Sequence, residues 1–168
     1  METYTLQSEA NSLIEKYKNT VYAIALTHTK SRFDADDVFQ DVFLAYFKKD
    51  RAFSCEEHRK AWFIRTTLNL CKKNYNSSLW RRAESITEAD GETYLAFDED
   101  EKELFSALKS LPPKLRSPLY LFYFEDMKTK DIARVLKTTD SGVRMRLSRG
   151  REKLKEILLG GNDNEKRF

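Results

Sequence analysis

The chain has 168 residues, and its 30 Lys and Arg against 27 Asp and Glu leave a formal net charge of only +3. Two Trp, eight Tyr and eleven Phe supply large side chains for burial, which excludes an intrinsically disordered chain. Five Gly and three Pro are too few for the many turns of an all-β sandwich or barrel. The composition therefore predicts an all-α protein with one domain or two small ones.

Cysteine usage and hydropathy indicate the cellular compartment. Cys55 and Cys71 form no Cys-x-x-Cys pair and have no His at ligand spacing, so no zinc site, disulfide framework or other cofactor is predicted. A reducing cytosol is the expected compartment. The first residues lack the pattern of a signal peptide, and no run of about 18 apolar residues occurs. We expect a soluble, intracellular protein without membrane insertion.

The small net charge is a sum over blocks of opposite sign. Residues 1–57 have a net charge of −3, and residues 58–82 carry seven basic side chains and no acid. Residues 83–103 then carry nine acids against one Lys, and residues 104–160 return to a net charge of +7. Any one such run can be an ordinary solvated helix face, but the alternation indicates two basic surfaces separated by an acidic segment.

The acidic segment contains little regular apolar periodicity, which is typical of a linker. We therefore predict two small helical domains over residues 1–80 and 101–160. An acidic flexible linker over residues 81–100 joins them, and a short tail over residues 161–168 follows the second domain.

The first domain is predicted to begin with two helices. Apolar residues recur every three or four positions from Leu6 to Ala25, which predicts an amphipathic helix. A second helix, to about Lys48, is expected to begin at Asp34, an N-cap residue with Asp37 at capping-box spacing. One side of this helix mixes acidic, amide and apolar character, which suits a basic protein partner; it includes Gln40, Asp41 and Leu44.

The next segment combines an aromatic loop with a basic helix. Residues 49–57 are expected to form a loop with Phe53, and a third helix is predicted from about His58 to Tyr75. Trp62 is expected to pack in the core, whereas Phe53 fits either core packing or base stacking. An aromatic platform beside cations is what single-stranded nucleic acid needs for stacking and phosphate neutralisation. The third helix provides Arg65, Asn69, Lys72 and Lys73.

The second domain is predicted to contain a helix-turn-helix. Two amphipathic helices are separated by Pro112 and Pro113, which cannot continue a helix. A helix over residues 129–136, a short turn over residues 137–140 and a long basic helix from Ser141 then match the helix-turn-helix pattern.

The last helix has two opposite faces. One is an apolar stripe expected to face the core: Val143, Leu147, Leu154 and Leu158, with Ile157 beside it. The other face, which we call the groove face, consists of Arg144, Met145, Ser148 and Arg149. It is predicted to enter a major groove, where Arg donates two hydrogen bonds to guanine. Flanking cations are predicted to neutralise phosphates: Arg146, Arg151, Lys153 and Lys155. The arrangement predicts binding to double-stranded DNA.

Together these motifs resemble bacterial RNA polymerase sigma factors of the extracytoplasmic-function (ECF) class. In the first domain the resemblance is carried by residues 34–44 (DADDVFQDVFL) and 61–70 (AWFIRTTLNL). In the second it is carried by residues 111–116 (LPPKLR) and 143–151 (VRMRLSRGR). Their order, their spacing and their separation by an acidic segment make the match specific.

The resemblance implies a role for each surface. The second helix would bind the β′ clamp helices of core RNA polymerase through what we call the acidic face: Asp37, Gln40, Asp41 and Leu44. The loop and third helix would melt the minus-ten promoter element and bind its strand through what we call the strand face: Phe53, Arg65, Asn69, Lys72 and Lys73. The groove face would read the minus-thirty-five element.

The resemblance also implies partners and location. These are core RNA polymerase, promoter DNA as duplex and as melted strand, and an anti-sigma factor that keeps the protein inactive. The protein would be a cytoplasmic alternative sigma factor, in the nucleoid when active and at the membrane when an anti-sigma partner holds it there. Its linker would thread into the nucleic-acid channels of the polymerase, and it would have no catalysis of its own.

Two positions depart from the family pattern: Lys137 stands where the turn Gly is usual, and Gly142 where a Thr is usual. Two other functions stay open on the residues alone. A free-standing helix-turn-helix repressor or activator would bind duplex DNA without polymerase. A nucleic-acid-processing enzyme would need a metal site or general base, whereas the only histidines are His28 and His58.

Overall fold

The computed structural model describes residues 2–29, 31–75 and 98–165. Every regular element in this part of the chain is an α-helix, which confirms the all-α prediction. The chain divides into two compact units, Met1–Leu95 and Ala96–Phe168. The predicted linker lies outside the described residues except for its last three positions.

The described residues of the N-terminal unit form three helices that all pack against one another: α1 (Glu2–His28), α2 (Arg32–Phe47) and α3 (Glu56–Tyr75). Leu6 is exposed, so the predicted apolar stripe of α1 reaches the core only from its middle onward. The fully buried side chains come from all three helices: Val21, Ile24 and Leu26, Val38 and Val42, and Phe63 and Ile64.

The start of α2 differs from the prediction. Ser31 is the N-cap, because its extended backbone lets its side-chain oxygen accept the Asp34 backbone N–H at 3.1 Å. Asp34 is instead a buried residue of the first turn, so its assignment as the N-cap was wrong. Its carboxylate still lies at the positive end of the helix dipole, where an acid is favoured.

Over residues 98–165, the C-terminal unit forms four helices: α4 (Glu99–Lys109), α5 (Pro113–Tyr123), α6 (Thr129–Leu136) and α7 (Asp140–Glu165). The start of α4 is a capping box in which Asp98 accepts the Glu101 backbone N–H at 2.8 Å and Glu101 accepts that of Asp98 at 3.1 Å. The last acids of the predicted linker therefore belong to a helix N-terminus.

Two contacts fix the packing around α5. The Arg116 guanidinium donates hydrogen bonds to three carbonyl oxygens at the end of α4, those of Leu108, Lys109 and Leu111. Gly150 of α7 approaches α5 so closely that a Cβ atom there would lie 2.5 Å from Leu119 Cδ1. Only glycine fits between these two helices without displacing Leu119.

The two departures from the family pattern lie in the turn between α6 and α7 and at the start of α7. Lys137 adopts the left-handed conformation with φ 54° and ψ 49°, which glycine adopts at no steric cost. Thr139 then caps α7 by accepting the Gly142 backbone N–H at 3.0 Å. A Cβ at position 142 would lie 3.0 Å from the hydroxyl oxygens of Thr138 and Thr139, so Gly142 leaves room for this cap.

The apolar stripe of α7 is confirmed for its first three members, since Val143, Leu147 and Leu154 are buried. Leu158 is half-buried. Ile157 is 41% exposed, which contradicts its predicted place beside the core. The helix continues to Glu165, five residues beyond the predicted end of the domain. Up to Gly160, Leu154 is the last buried residue of the helix, and Ile157 lies beyond it.

Candidate protein and nucleic-acid interfaces

The acidic face of α2 is formed entirely by exposed side chains. Asp37, Gln40, Asp41 and Leu44 follow one another at three- and four-residue spacing, opposite the buried Val38 and Val42. Leu44 is 61% exposed although it is a leucine on a helix that packs against two others. The structure therefore brings the four predicted residues to one surface that the core does not use.

Sequence reasoning missed two aromatic residues on the same face. Phe33, one turn before Asp37, is 81% exposed, and Phe47, three residues after Leu44, is 48% exposed. Helical spacing from Leu44 could have found Phe47, whereas Phe33 precedes Asp34, where the helix was predicted to begin. Exposed aromatic and aliphatic groups among acids are typical of a protein interface rather than a nucleic-acid site.

A third acid of this helix has a structural role. Asp36 accepts a hydrogen bond from the Tyr22 hydroxyl of α1. Burial, followed by this hydrogen bond, raises the pKa of Tyr22 to about 12. Asp36 therefore tethers α2 to α1, which leaves Asp37 and Asp41 as the carboxylates of the exposed face.

Phe53 lies in a half-buried aromatic cluster that joins the loop to α2 and α3. Its ring is nearly parallel to that of Tyr46, with centroids 6.3 Å apart, and meets Trp62 edge-on at 6.5 Å. Trp62 also contacts Tyr46 at 5.5 Å and is only half-buried, so it is not the core residue that was predicted. Phe53 fits both interpretations of the sequence, core packing and base stacking, since it packs against neighbours and still retains exposed surface.

Two arginines lie over these rings. The Arg51 guanidinium carbon is 4.5 Å from the Trp62 centroid, and that of Arg59 is 5.5 Å from the Phe53 centroid. Both distances are within the range of cation–π attraction. Sequence reasoning assigned neither cation to the site, because the contacts depend on tertiary packing of the loop rather than on helical spacing.

The remaining members of the strand face lie along α3. Asn69, Lys72 and Lys73 are exposed and Arg65 is half-buried. Positions 62, 65, 69 and 73 are three or four residues apart, so Trp62 shares their helix face. Aromatic rings, an amide and cations thus form one surface, which suits a strand with unstacked bases and charged phosphates.

The groove face of α7 is exposed as predicted: Arg144, Met145, Ser148 and Arg149. Arg144 forms an ion pair with Asp140 at 2.9 Å, so it has to exchange that partner before it can contact a base. Because both side chains retain exposure, we expect this pair to be weak.

The flanking cations differ in how they are held, and Lys155 is exposed. Arg151 donates a hydrogen bond to the Tyr123 hydroxyl at 2.9 Å, and its guanidinium carbon lies 5.2 Å from the Phe122 centroid. Lys153 is exposed and Arg146 is half-buried. Helix α5 therefore orients Arg151, which reduces the entropy lost when this side chain contacts a phosphate.

Within the described residues, no group of three or more His, Cys, Asp or Glu side chains could hold a metal ion. No helix in the same part of the chain is long and apolar enough to cross a membrane.

Comparison with known proteins identifies both units. The sequence matches the family Sigma-70 region 2 over residues 13–82 and the family Sigma-70, region 4 over residues 101–154. The chain belongs to the sigma-70 family. One match falls in each unit, and their order agrees with the two sets of motifs that carried the resemblance.

A curated relative and two solved structures extend this result. The sigma factor is 28% identical over 165 residues to the ECF RNA polymerase sigma-E factor of Haemophilus influenzae, covering 88% of this chain and 86% of that protein. Its fold matches the sigma factor RpoE, solved in complex with the anti-sigma factor NepR from Bartonella quintana, with a TM-score of 0.69, 18% identity and coverage of 88% and 95%.

It also matches CnrH, solved in complex with the cytosolic domain of CnrY, with a TM-score of 0.65, 24% identity and coverage of 92% and 90%. The two family matches and the curated relative together show an alternative sigma factor of the ECF class, a subunit that directs core RNA polymerase to promoters.

Proposed function

We propose that this sigma factor divides promoter recognition between its two units, with domains over residues 1–80 and 101–160 and an intervening linker over 81–100. The first unit would hold the polymerase and the melted strand, and the second would read duplex DNA. The observation that carries the proposal is the exposed acidic face of α2, which has no role in the core of its unit.

The acidic face is proposed to bind the β′ clamp helices of core RNA polymerase. Asp37 and Asp41 would attract basic side chains, and Leu44 would add apolar contact at the same surface. Gln40 would contribute hydrogen bonds between them. The flanking Phe33 and Phe47 provide two more apolar groups for the same partner.

The strand face is proposed to hold the melted minus-ten element. Phe53 would stack on an unpaired base, and Asn69 would hydrogen-bond to a base edge. Arg65, Lys72 and Lys73 would neutralise phosphates, which contributes affinity without sequence information.

The groove face is proposed to read the minus-thirty-five element as duplex. Arg149 and Arg144 would donate paired hydrogen bonds to guanine, Met145 would contact apolar base edges and Ser148 a polar one. Arg146, Arg151 and Lys153 would contact phosphates and orient α7 in the groove.

Regulation by an anti-sigma factor is part of the proposal, because a sigma factor of the same fold was solved in complex with an anti-sigma factor. The sigma factor would work at the nucleoid. The anti-sigma factor would hold it inactive, and would hold it at the membrane when this partner is itself anchored there. It would supply recognition and no catalysis, since the reaction belongs to the polymerase. Its acidic linker would occupy the nucleic-acid channels of the polymerase.

Run-off transcription tests this function. Core RNA polymerase is combined with the sigma factor and with genomic fragments of its own organism, and transcripts are mapped. We expect discrete start sites that depend on the sigma factor and disappear with Asp41→Arg but persist with Glu9→Arg, a charge reversal at an exposed site on α1. No specific start on any fragment would overturn the proposal.

A gel-shift comparison separates this function from a free-standing repressor or activator. We expect tight promoter binding only when core polymerase is present. Equal affinity with and without the polymerase would favour the free-standing regulator.

A further inference from the structure

One carboxylate joins α1 to the beginning of α3. Glu56, the first residue of α3, accepts hydrogen bonds through one oxygen from the Tyr17 hydroxyl at 2.6 Å and the Lys16 amine at 2.8 Å. Its other oxygen accepts from the Arg59 guanidinium, one turn later on α3. Three donors from two helices therefore converge on Glu56, although this residue is at the surface.

The α1 end of this contact is rigid. Tyr17 is only 3% exposed, and its ring stacks on that of Phe63 with centroids 4.4 Å apart. The hydrogen bonds from Lys16 and then Tyr17 hold the pKa of Glu56 below its usual range. Glu56 therefore stays ionised near neutral pH and is anchored to a side chain that the core fixes in place.

The other end of the contact reaches the strand face. Arg59, which Glu56 holds through one guanidinium nitrogen, lies over the ring of Phe53. Phe53 precedes Glu56 by three residues, so the loop that carries it enters α3 at the anchored position. The orientation of Arg59 and the entry of the loop are both fixed by the same carboxylate.

We propose that Glu56 is a positioning residue for capture of the melted strand: anchored to Tyr17, it fixes the loop and keeps Arg59 over Phe53. A base that stacks on this face of Phe53 displaces the guanidinium from the ring. Because Glu56 still holds Arg59, the cation stays beside the strand, where a phosphate can accept its free N–H groups. The inference rests on the proposed role of Phe53 in binding that strand.

Whether loss of the carboxylate weakens or strengthens strand binding distinguishes this positioning role from simple charge repulsion. Glu57, next in the sequence, is another exposed acid in the first turn of α3. Removal of an acid near DNA strengthens binding when only charge matters, because the phosphates are less repelled. Loss of Glu56 should weaken binding despite the same change in charge, whereas loss of Glu57 should not.

The experiment measures the affinity of the reconstituted holoenzyme for the single-stranded minus-ten oligonucleotide of a mapped promoter. We expect Glu56→Ala to weaken binding about tenfold, as for the loss of a charge-assisted hydrogen bond. Glu57→Ala should leave the affinity unchanged or raise it. Arg59→Ala should weaken binding in the native background and have no further effect together with Glu56→Ala.

An abasic scan of the oligonucleotide measures the loss of affinity when each base is removed in turn. A general loss of protein stability would not change which position shows the largest loss. In the native holoenzyme, one position should show a large penalty when its base is removed, and in Glu56→Ala this penalty should largely disappear. Affinity for core polymerase should stay unchanged in both variants.

Equal or tighter strand binding by Glu56→Ala, or an undiminished abasic penalty, would overturn the inference while the proposed function stands. A native holoenzyme with no base-dependent strand binding would instead overturn the role proposed for the strand face itself.

Discussion

The two units present their proposed nucleic-acid-binding groups in different ways. In the C-terminal unit, the groove face is a row of exposed side chains on one helix, α7, with a buried stripe opposite. In the N-terminal unit, the strand face combines side chains along α3 with a half-buried cluster in which Phe53 packs on α2 and α3. Arg59 lies over Phe53, and Arg51 lies over the neighbouring Trp62. Duplex DNA offers a groove that accepts a straight helix, whereas a melted strand needs a shaped surface for its separated bases.

The acidic face of α2 resembles the groove face in being a single row of exposed side chains on one helix. The largest effect is expected there. Asp41→Arg should weaken binding to core polymerase more than about a hundredfold, because like charges in an interface cost several kcal/mol. Fluorescence anisotropy with core polymerase measures this, and circular dichroism checks that the fold survives.

Glu9→Arg on α1 is the matched control for that reversal and should bind polymerase like the native protein. Unchanged association of Asp41→Arg would refute the assignment of the acidic face.

The second prediction concerns the groove face. Arg149→Ala should weaken promoter binding by about 1–3 kcal/mol, with most of the loss at one base position, if the guanidinium contacts a guanine. Arg151→Ala should weaken binding to all promoter sequences alike and reduce the salt dependence, as expected for a phosphate contact. Holoenzyme affinity for a set of single-base promoter variants measures both effects; a uniform loss for Arg149→Ala would make it a phosphate contact instead.

The third prediction tests how α7 is seated. Gly150→Ala should destabilise the C-terminal unit by about 1–3 kcal/mol, because the added methyl group overlaps Leu119. Gly160→Ala, on the same helix with no atom within 4 Å of the new methyl group, should instead be neutral or stabilising. Urea denaturation compares the two, and equal behaviour would mean that the close approach of α5 and α7 is not required.

The smallest predicted effect is at the turn before α7. Lys137→Gly should stabilise the C-terminal unit by about 1 kcal/mol, because glycine relieves the left-handed backbone strain. Lys130→Gly, inside α6, should cost about 1 kcal/mol. Thermal unfolding measures both shifts, and a loss of stability in Lys137→Gly would contradict the strain.

Much of the fold could be predicted from the sequence, because helices with one buried stripe leave a repeating apolar pattern. The faces that lie on one helix could be predicted for the same reason, as with Asp41 on α2 and Arg149 on α7. Helix starts were displaced by one to three residues. Ser31 rather than Asp34 is the N-cap of α2. Helix α3 begins at Glu56 rather than His58, and α7 begins at Asp140 rather than Ser141.

The strand face could be predicted only in part. Arg51 and Arg59 were missed, because cation–π contacts with Trp62 and Phe53 join residues whose spacing has no helical period. Phe33 was missed for a different reason: the helix was predicted to begin at Asp34, and only the structure shows that it begins at Arg32 and that Phe33 is exposed on it. Sequence patterns thus identify surfaces on one helix better than clusters built from several segments.

The division of labour between the two units can be measured in one experiment on open-complex formation. Promoters with single-base changes in the minus-thirty-five or the minus-ten element are combined with native, Arg149→Ala and Asn69→Ala holoenzymes. The proposed division predicts that Arg149→Ala loses sensitivity only to changes in the upstream duplex, and Asn69→Ala only to changes in the melted element. Loss of sensitivity to both elements in either variant, or the reverse assignment, would contradict it.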